Sequence, residues 1–316
     1  MKRRDFVTIT SGTVLTLAVN PRAFAASQAD DAIWYDKERR FVELPFSRVA
    51  YVERGRGPVA LFIHGWSLNG YQWRGALERL HPHRRCLAPD LMGSGSTQTP
   101  SEQAVSPATQ ATMLGQLLDK LEIDEVDLVA NDSGGLIAQL FLAKFPKRVR
   151  TLLLTNCDVD ENSPPPQFLP FVEKAKKGTL VDEFVVPQFH DKKLARSANG
   201  VGAFYTYPER LSDETIEIYF RPFAETPLKR TQLNQFSIAM ETNPLVAIRE
   251  ELRSWKGAAR TVWGLKDPLF PVKWAEWLDR TLPGSLGVRK VEEANLFFPE
   301  EMPDLIAEEA RGLWKA

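Results

Sequence analysis

Val129-Ala130-Asn131-Asp132-Ser133-Gly134-Gly135 joins the apolar run Val126–Asn131 to apolar residues at helical spacing over Gly134–Phe145. A sharp strand-to-helix turn needs small residues two before and two after its apex, and it holds the apex side chain out above the sheet. With Asp132 at the apex the flanks are Ala130 and Gly134, both small. With Ser133 at the apex they are Asn131 and Gly135, and Asn131 fits poorly. The pattern therefore presents Asp132, a carboxylate that attacks carbon to make an alkyl ester, whereas a serine attacks acyl groups. A plain helix-capping role is the competing reading of the same aspartate.

Outward from this turn, short apolar runs alternate with amphipathic stretches. Val59–His64, Arg85–Pro89 and Val149–Thr155 read as strands, and Pro107–Leu121 reads as a helix. The pattern predicts an α/β fold with a mostly parallel, doubly wound sheet, whose functional loops lie at the strands' carboxyl ends. The alternation stops after Asp158, at Pro164-Pro165-Pro166. Helical, aromatic-rich sequence follows in Phe168–Lys177, Leu180–Phe189, Asp213–Phe220 and Leu228–Met240. Strands and helices resume at Arg260–Gly264, Val272–Leu282, Gly287–Val291 and Pro303–Trp314. The expected organisation is a core over residues 36–158 and 253–316 with a helical cap over 159–252.

Residues 1–25 read as an address. Lys2-Arg3-Arg4, a mild apolar run from Val7 to Val19, and Ala23-Phe24-Ala25 form a basic region, a short apolar region and a small-x-small cleavage site. The adjacent arginines ahead of Phe6 resemble a twin-arginine export signal, which implies a periplasmic or secreted protein. The apolar run is shorter than the roughly 20 residues a membrane span needs, so no stable membrane insertion is expected after its removal.

Composition narrows the rest. The chain has 316 residues and a net charge of −1, from 40 Lys+Arg and 41 Asp+Glu, so neither nucleic acid nor an anionic membrane is an expected partner. Two cysteines exclude a disulfide scaffold. There is no His-Glu-x-x-His, no Cys-x-x-Cys and no Gly-rich nucleotide loop after a first strand, so no metal or cofactor is expected. A small-molecule substrate is the implied partner.

Further segments resemble the α/β-hydrolase superfamily, on the side of the haloalkane dehalogenases and epoxide hydrolases, which use an aspartate nucleophile. Phe62-Ile63-His64-Gly65-Trp66 resembles the family's HG oxyanion turn, and Asp90-Leu91-Met92-Gly93-Ser94-Gly95-Ser96 its D-x-x-G-x-G-x-S loop. Phe145-Pro146-Lys147-Arg148-Val149 resembles the helix end leading into the next strand, and Trp263-Gly264-Leu265-Lys266-Asp267 the turn carrying the acid. The resemblance covers about residues 40–158 and 255–316 and implies an α/β-hydrolase fold with an inserted helical cap. It assigns Asp132 as nucleophile, the backbone N–H groups of Trp66 and Ser133 as oxyanion donors, and Asp267 as the acid that orients a histidine. Asn156 matches an alternative acid position, and His64 is architectural.

The chain departs from the family at the histidine. Glu301-Met302-Pro303 aligns with the family's E-x-P, and counting back puts Leu296 where the histidine belongs. Anchoring on Pro299 shifts the match to Phe297, and no histidine follows His190. Without a base the aspartyl ester would form and its hydrolysis would stall. Three readings remain open: a replacement base (His190, Glu292, Glu293 or Glu300), an acid/base role for Asp132 in a non-hydrolytic reaction, or ligand binding without turnover. His81 and His83 read as surface loop residues.

Other family signatures are incomplete as well. Ser133 stands where dehalogenases place a halide-binding tryptophan, although the Trp66 indole offers an N–H. Tyr205, Tyr207 and Tyr219 lie in the cap, where epoxide hydrolases keep two acidic tyrosines, and each reads equally as core. The cap phenylalanines Phe168, Phe171, Phe184, Phe204, Phe220, Phe223 and Phe236 suggest an apolar roof. The expected activity is hydrolysis of a small, mainly apolar substrate of haloalkane, epoxide or ester type.

Overall fold

The computed structural model describes residues 32–315. The expected export signal over 1–25 lies outside the described residues. The strands are β1 (Arg39–Leu44), β2 (Ser47–Arg54), β3 (Val59–Ile63), β4 (Arg85–Pro89), β5 (Val126–Asp132), β6 (Val149–Cys157), β7 (Ala258–Gly264) and β8 (Ser285–Val291). They form one sheet in the order β1-β2-β4-β3-β5-β6-β7-β8. β2 runs antiparallel to both β1 and β4, and every other pair is parallel. β3 and β5 are buried along their whole length, as expected of central strands covered on both faces.

The core helices are α1 (Arg74–Leu80), α2 (Pro107–Lys120) and α3 (Ser133–Lys144). α2 starts from a capping box in which Ser106 and Thr109 exchange side-chain and backbone hydrogen bonds, with Pro107 at the first helical position. Between β6 and β7 the described chain holds no strand of the sheet. It contains α4 (Leu169–Lys176), α5 (Val186–His190), α6 (Lys192–Arg196), α7 (Asp213–Glu225), α8 (Pro227–Ala239) and α9 (Arg249–Ser254). The core then resumes with α10 (Lys273–Thr281), α11 (Phe298–Glu301) and α12 (Pro303–Leu313). α1 packs on α12 and α2 on α3, while α10 lies against β7 and β8.

Several local expectations are corrected. Neither β1 nor β2 is among the strands expected from sequence; β1 is mostly solvent-facing at the sheet edge and its exposure does not alternate cleanly, whereas β2 is mostly buried. α7 does not stop at Phe220 but runs through Pro222 to Glu225, because Ile216, Tyr219, Phe220 and Phe223 continue one buried stripe that outweighs the missing N–H. The stretch 180–189 is not one regular helix. A wide π turn over Val181–Val185 precedes α5, and Pro187 cannot donate to a regular ladder.

Candidate active site

β5 ends in a residue held where L-amino acids are seldom found. Asp132 has φ 55° and ψ −136°. A non-glycine residue persists there only when its surroundings over-determine it. Two glycines supply the space. A Cβ on Gly134 would stand 2.4 Å from the carbonyl oxygen of Ile63, and one on Gly65 would stand 2.5 Å from Oδ2 of Asp132. The turn is therefore pressed against the end of β3, and the HG segment lies directly on the carboxyl group.

The Asp132 side chain makes no capping bond to α3. Its Oδ2 accepts from the Trp66 backbone N–H at 2.7 Å, and the Ser133 N–H also supports the carboxylate. The carboxyl thus makes no capping bond to α3, and of the two expected oxyanion donors the Trp66 N–H is hydrogen-bonded to it. The residue is buried, with 6% of its surface exposed.

A polar chain fixes the loops around it. Gly65 N–H donates to Gln72 Oε1 at 3.0 Å, Gln72 Nε2 donates to Asn131 Oδ1 at 2.7 Å, and Asn131 Nδ2 donates to the Leu296 carbonyl at 3.0 Å. Asn131 also donates to the Asn156 carbonyl at 3.1 Å. Its amide ties the His64-Gly65 turn, the end of β6 and the Leu296 loop to β5.

Asp267 follows β7. Its Oδ1 accepts from the N–H groups of Leu269 and Phe270 at 2.7 and 3.3 Å. Its Oδ2 accepts from Asn156 Nδ2 at 2.7 Å. Asn156 is itself fixed to Gly264 through its Oδ1 at 2.6 Å and its Nδ2 at 2.9 Å. Burial pushes the Asp267 carboxyl up to about 7, against the pull of those donors.

Sequence reading missed a third carboxyl. Asp158, the residue after β6, has no exposed surface and no hydrogen-bond partner on either carboxyl oxygen. Burial raises it to about 7, and the Ser163 hydroxyl offsets part of that rise without meeting hydrogen-bond geometry. Cys157 pairs with Asp132 across the β5–β6 ladder, which brings the next residue beside Asp132. Asp132 is held well above the ordinary carboxylate range, first by burial, then by the charge of Asp158, with Asp267 adding to it. The only hint in the sequence was a carboxylate just past the carboxyl end of a parallel strand, the position where such sheets place functional groups.

Above Asp132 lies a cavity of about 240 Å³. Phe168, Phe171, Phe184 and Phe204 roof it, Trp66 and Leu269 flank it, and Leu296 and Phe297 close one side. Four of the eight cap phenylalanines thus line the cavity. Phe220 and Phe223 are cap core, and Phe236 borders a separate space of about 20 Å³ beside Ser133.

The expected histidine position, Leu296 or Phe297, is apolar and buried. Leu296 faces the cavity with 1% of its surface exposed. None of the candidate replacement bases lines this cavity. His190, Glu292 and Glu293 are exposed, and Glu293 pairs with Lys266 at 3.8 Å. Glu300 is buried in an ion pair with Arg74 at 2.6 Å, and its other oxygen accepts from the hydroxyls of Tyr205 at 2.6 Å and Tyr219 at 2.9 Å. Those two cap tyrosines are therefore structural, and Tyr207 lies outside the cavity wall with its ring against Arg210. His64 is architectural: Nδ1–H donates to Gly65 O at 2.9 Å and Nε2 accepts from Leu91 N–H at 3.0 Å. Burial lowers its proton affinity. The Trp66 indole N–H is likewise committed, to Ser237 Oγ at 2.9 Å.

Among the described residues no cluster of His, Cys, Asp and Glu is arranged to hold a metal ion, and no helix is long and apolar enough to cross a membrane. The site offers a buried carboxyl at an elbow, two backbone donors, two further carboxyls and an apolar chamber.

Comparison with known proteins agrees with this fold. A haloalkane dehalogenase 2 of Mycobacterium tuberculosis is 26% identical over 290 residues, covering 86% of this chain and 93% of that protein. An epoxide hydrolase 2 of Siraitia grosvenorii is 33% identical over 150 residues, 46% of each chain. A cis-3-alkyl-4-alkyloxetan-2-one decarboxylase of Shewanella oneidensis is 25% identical over 189 residues, 59% of this chain and 58% of that protein. Other curated relatives match over only about a third of their own length. The crystal structure of the haloalkane dehalogenase DbeA from Bradyrhizobium elkani shares the fold, with a TM-score of 0.73 at 22% identity over 88% of this chain and 98% of that one. The family model for the alpha/beta hydrolase fold matches residues 58–301, and the chain belongs to that family.

Proposed function

We propose that the protein uses the Asp132 carboxylate as a nucleophile toward a small, mainly apolar molecule of haloalkane, epoxide or ester type. The observation that carries this reading is the placement of Asp132 on a strained elbow, with Oδ2 on the Trp66 N–H and an apolar cavity above it. For an alkyl substrate, a carboxylate oxygen bonds to the electrophilic carbon, and the leaving group departs with the electron pair of the broken bond. The backbone donors orient the carboxylate for attack. They then face the charge that develops if water adds to the resulting ester. That second step needs a proton acceptor. Leu296 provides none, so the aspartyl ester persists or decays slowly.

The same position favours a second, non-hydrolytic reading. A reaction that regenerates Asp132 without water needs no base. The decarboxylase relative names one such substrate class, a four-membered lactone. Asp132 attacks the ring carbon bearing oxygen, and the ring oxygen departs as a tethered carboxylate. That carboxylate leaves as carbon dioxide, its C–C electron pair forms the alkene, and the bond to Asp132 breaks. The sum is lactone to alkene plus carbon dioxide, with no proton or water consumed.

Intact-protein mass spectrometry after exposure to haloalkanes, epoxides, activated esters and a 3,4-dialkyloxetan-2-one tests both readings, with product analysis alongside. A mass increase mapped to Asp132 and absent in Asp132→Asn supports the nucleophile. Alkene without hydroxy acid selects the second reading. Turnover retained in correctly folded Asp132→Asn refutes both, and reversible binding with no adduct or product leaves a small-molecule binder.

A further inference from the structure

We propose that substrate reaches Asp132 through a mouth between Gln167 and Pro268, and that the Gln167 side chain filters what enters. This rests on the reading of the cavity over Asp132 as the substrate chamber. The cap is fastened to the core on its other sides. Beside Leu296, the Phe297 N–H donates to Phe204 O at 2.9 Å, and Glu301 accepts from the N–H groups of Thr206 and Tyr207 at 2.9 and 2.7 Å. Behind that seam stands the buried Glu300, bound to Arg74 and both cap tyrosines. Across the cap, Lys229 Nζ donates to Ser94 O at 3.1 Å and Thr97 O at 2.6 Å, and Gln232 donates to Thr99 O at 2.8 Å.

The remaining side is different. Gln167 and Pro268 are the exposed members of the cavity wall; the others are buried or half-buried. Between Gln167 and Pro268 the one bond is solvent-exposed, from Gln167 Nε2 to Pro268 O at 2.9 Å, and deeper on the same side Asn162 Nδ2 donates to Leu269 O at 3.2 Å. The exposed bond exchanges with water at small net cost. Pro268 is held in place because its neighbours Leu269 and Phe270 donate to Asp267. The side that yields is therefore the glutamine side chain. Leu169, 45% exposed two residues along, gives the rim an apolar approach.

The test separates entry from chemistry. Exchange of fluorobenzene with the cavity is followed by fluorine NMR line shape in the whole protein, for the native chain, Gln167→Trp, Gln167→Ala and the remote control Leu228→Trp. Exchange slowed at least fivefold in Gln167→Trp, accelerated in Gln167→Ala and unchanged in Leu228→Trp supports the mouth. Where Gln167→Trp folds poorly, Gln167→Ala alone decides. No bound fluorobenzene, or exchange indifferent to position 167, overturns it. Adduct formation at Asp132 is measured on the same variants. Exchange that responds to position 167 while no electrophile ever labels Asp132 keeps the mouth and refutes the nucleophile.

Discussion

Asn156 donates to Asp267 through a 2.7 Å hydrogen bond, so an amide sits on the carboxyl that the family resemblance assigns to orienting a histidine. The arrangement is consistent across the site, because Leu296 fills the histidine's place with an apolar side chain against the cavity. Under the proposed function both residues bear on one half-reaction, the hydrolysis of an aspartyl ester. Leu296→His should therefore shorten the lifetime of an Asp132 alkyl ester by about 10²–10⁴-fold, the usual contribution of a positioned acid–base group. Loss of the adduct mass with time checks this. Decay as slow as in the native chain would show that Leu296 is not what stalls the ester.

Attack by Asp132 requires its anion, and burial together with the charge of Asp158 disfavours that anion. The rate of adduct formation should accordingly rise with pH well beyond the range where an ordinary aspartate is already ionised. Asp158→Asn removes the neighbouring charge while keeping the side chain's size, so the rise should move to lower pH. Pseudo-first-order labelling rates across a pH series read this directly. An unmoved profile would mean that Asp158 does not set the protonation of Asp132.

The elbow was legible because its constraint is local. Gly134 is small since the backbone of β3 lies against the turn, and that requirement survives in a seven-residue string. The missing histidine was legible as an absence, since no histidine follows His190. Asp158 was not, because its meaning comes from the β5–β6 register and from having no partner, neither of which a sequence displays. Glu300 was singled out as a candidate base, yet its role follows from Arg74, 226 residues away in sequence, and from two tyrosines of the cap. Asn131 looked like a misfit beside Ser133, but its amide is the bracket that holds the Leu296 loop to β5.

The same carboxyls make stability depend on pH. Asp158 and Asp267 are each raised from 3.8 to about 7, so between those values the folded state binds protons that the unfolded state has released. Stability therefore falls as pH rises through that window, the opposite of a salt-bridged carboxylate. Urea unfolding at pH 5 and pH 8 should show the native chain less stable at pH 8. Asp158→Asn should lose less over the same interval, because one of the two groups no longer ionises. An identical pH dependence in the variant would mean that Asp158 is not protonated in the folded state.

Glu300 offers a contrasting case, in which a carboxyl near the site affects the fold and leaves the chemistry alone. Its side chain is buried, it balances the buried Arg74, and the hydroxyls of Tyr205 and Tyr219 depend on it. Removing one partner of such a pair leaves an uncompensated charge, which costs about 3–5 kcal/mol. Glu300→Ala should lower stability by that order. Tyr205→Phe and Tyr219→Phe should each cost less, about 1.5–3 kcal/mol, the scale of a hydrogen bond to a charged group. Because neither hydroxyl reaches the cavity wall, labelling of Asp132 by an epoxide should proceed at the native rate in both tyrosine variants at a temperature where they remain folded. Denaturation curves paired with labelling rates separate the two effects. A tyrosine variant that keeps its stability but loses epoxide labelling would return that hydroxyl to the chemistry.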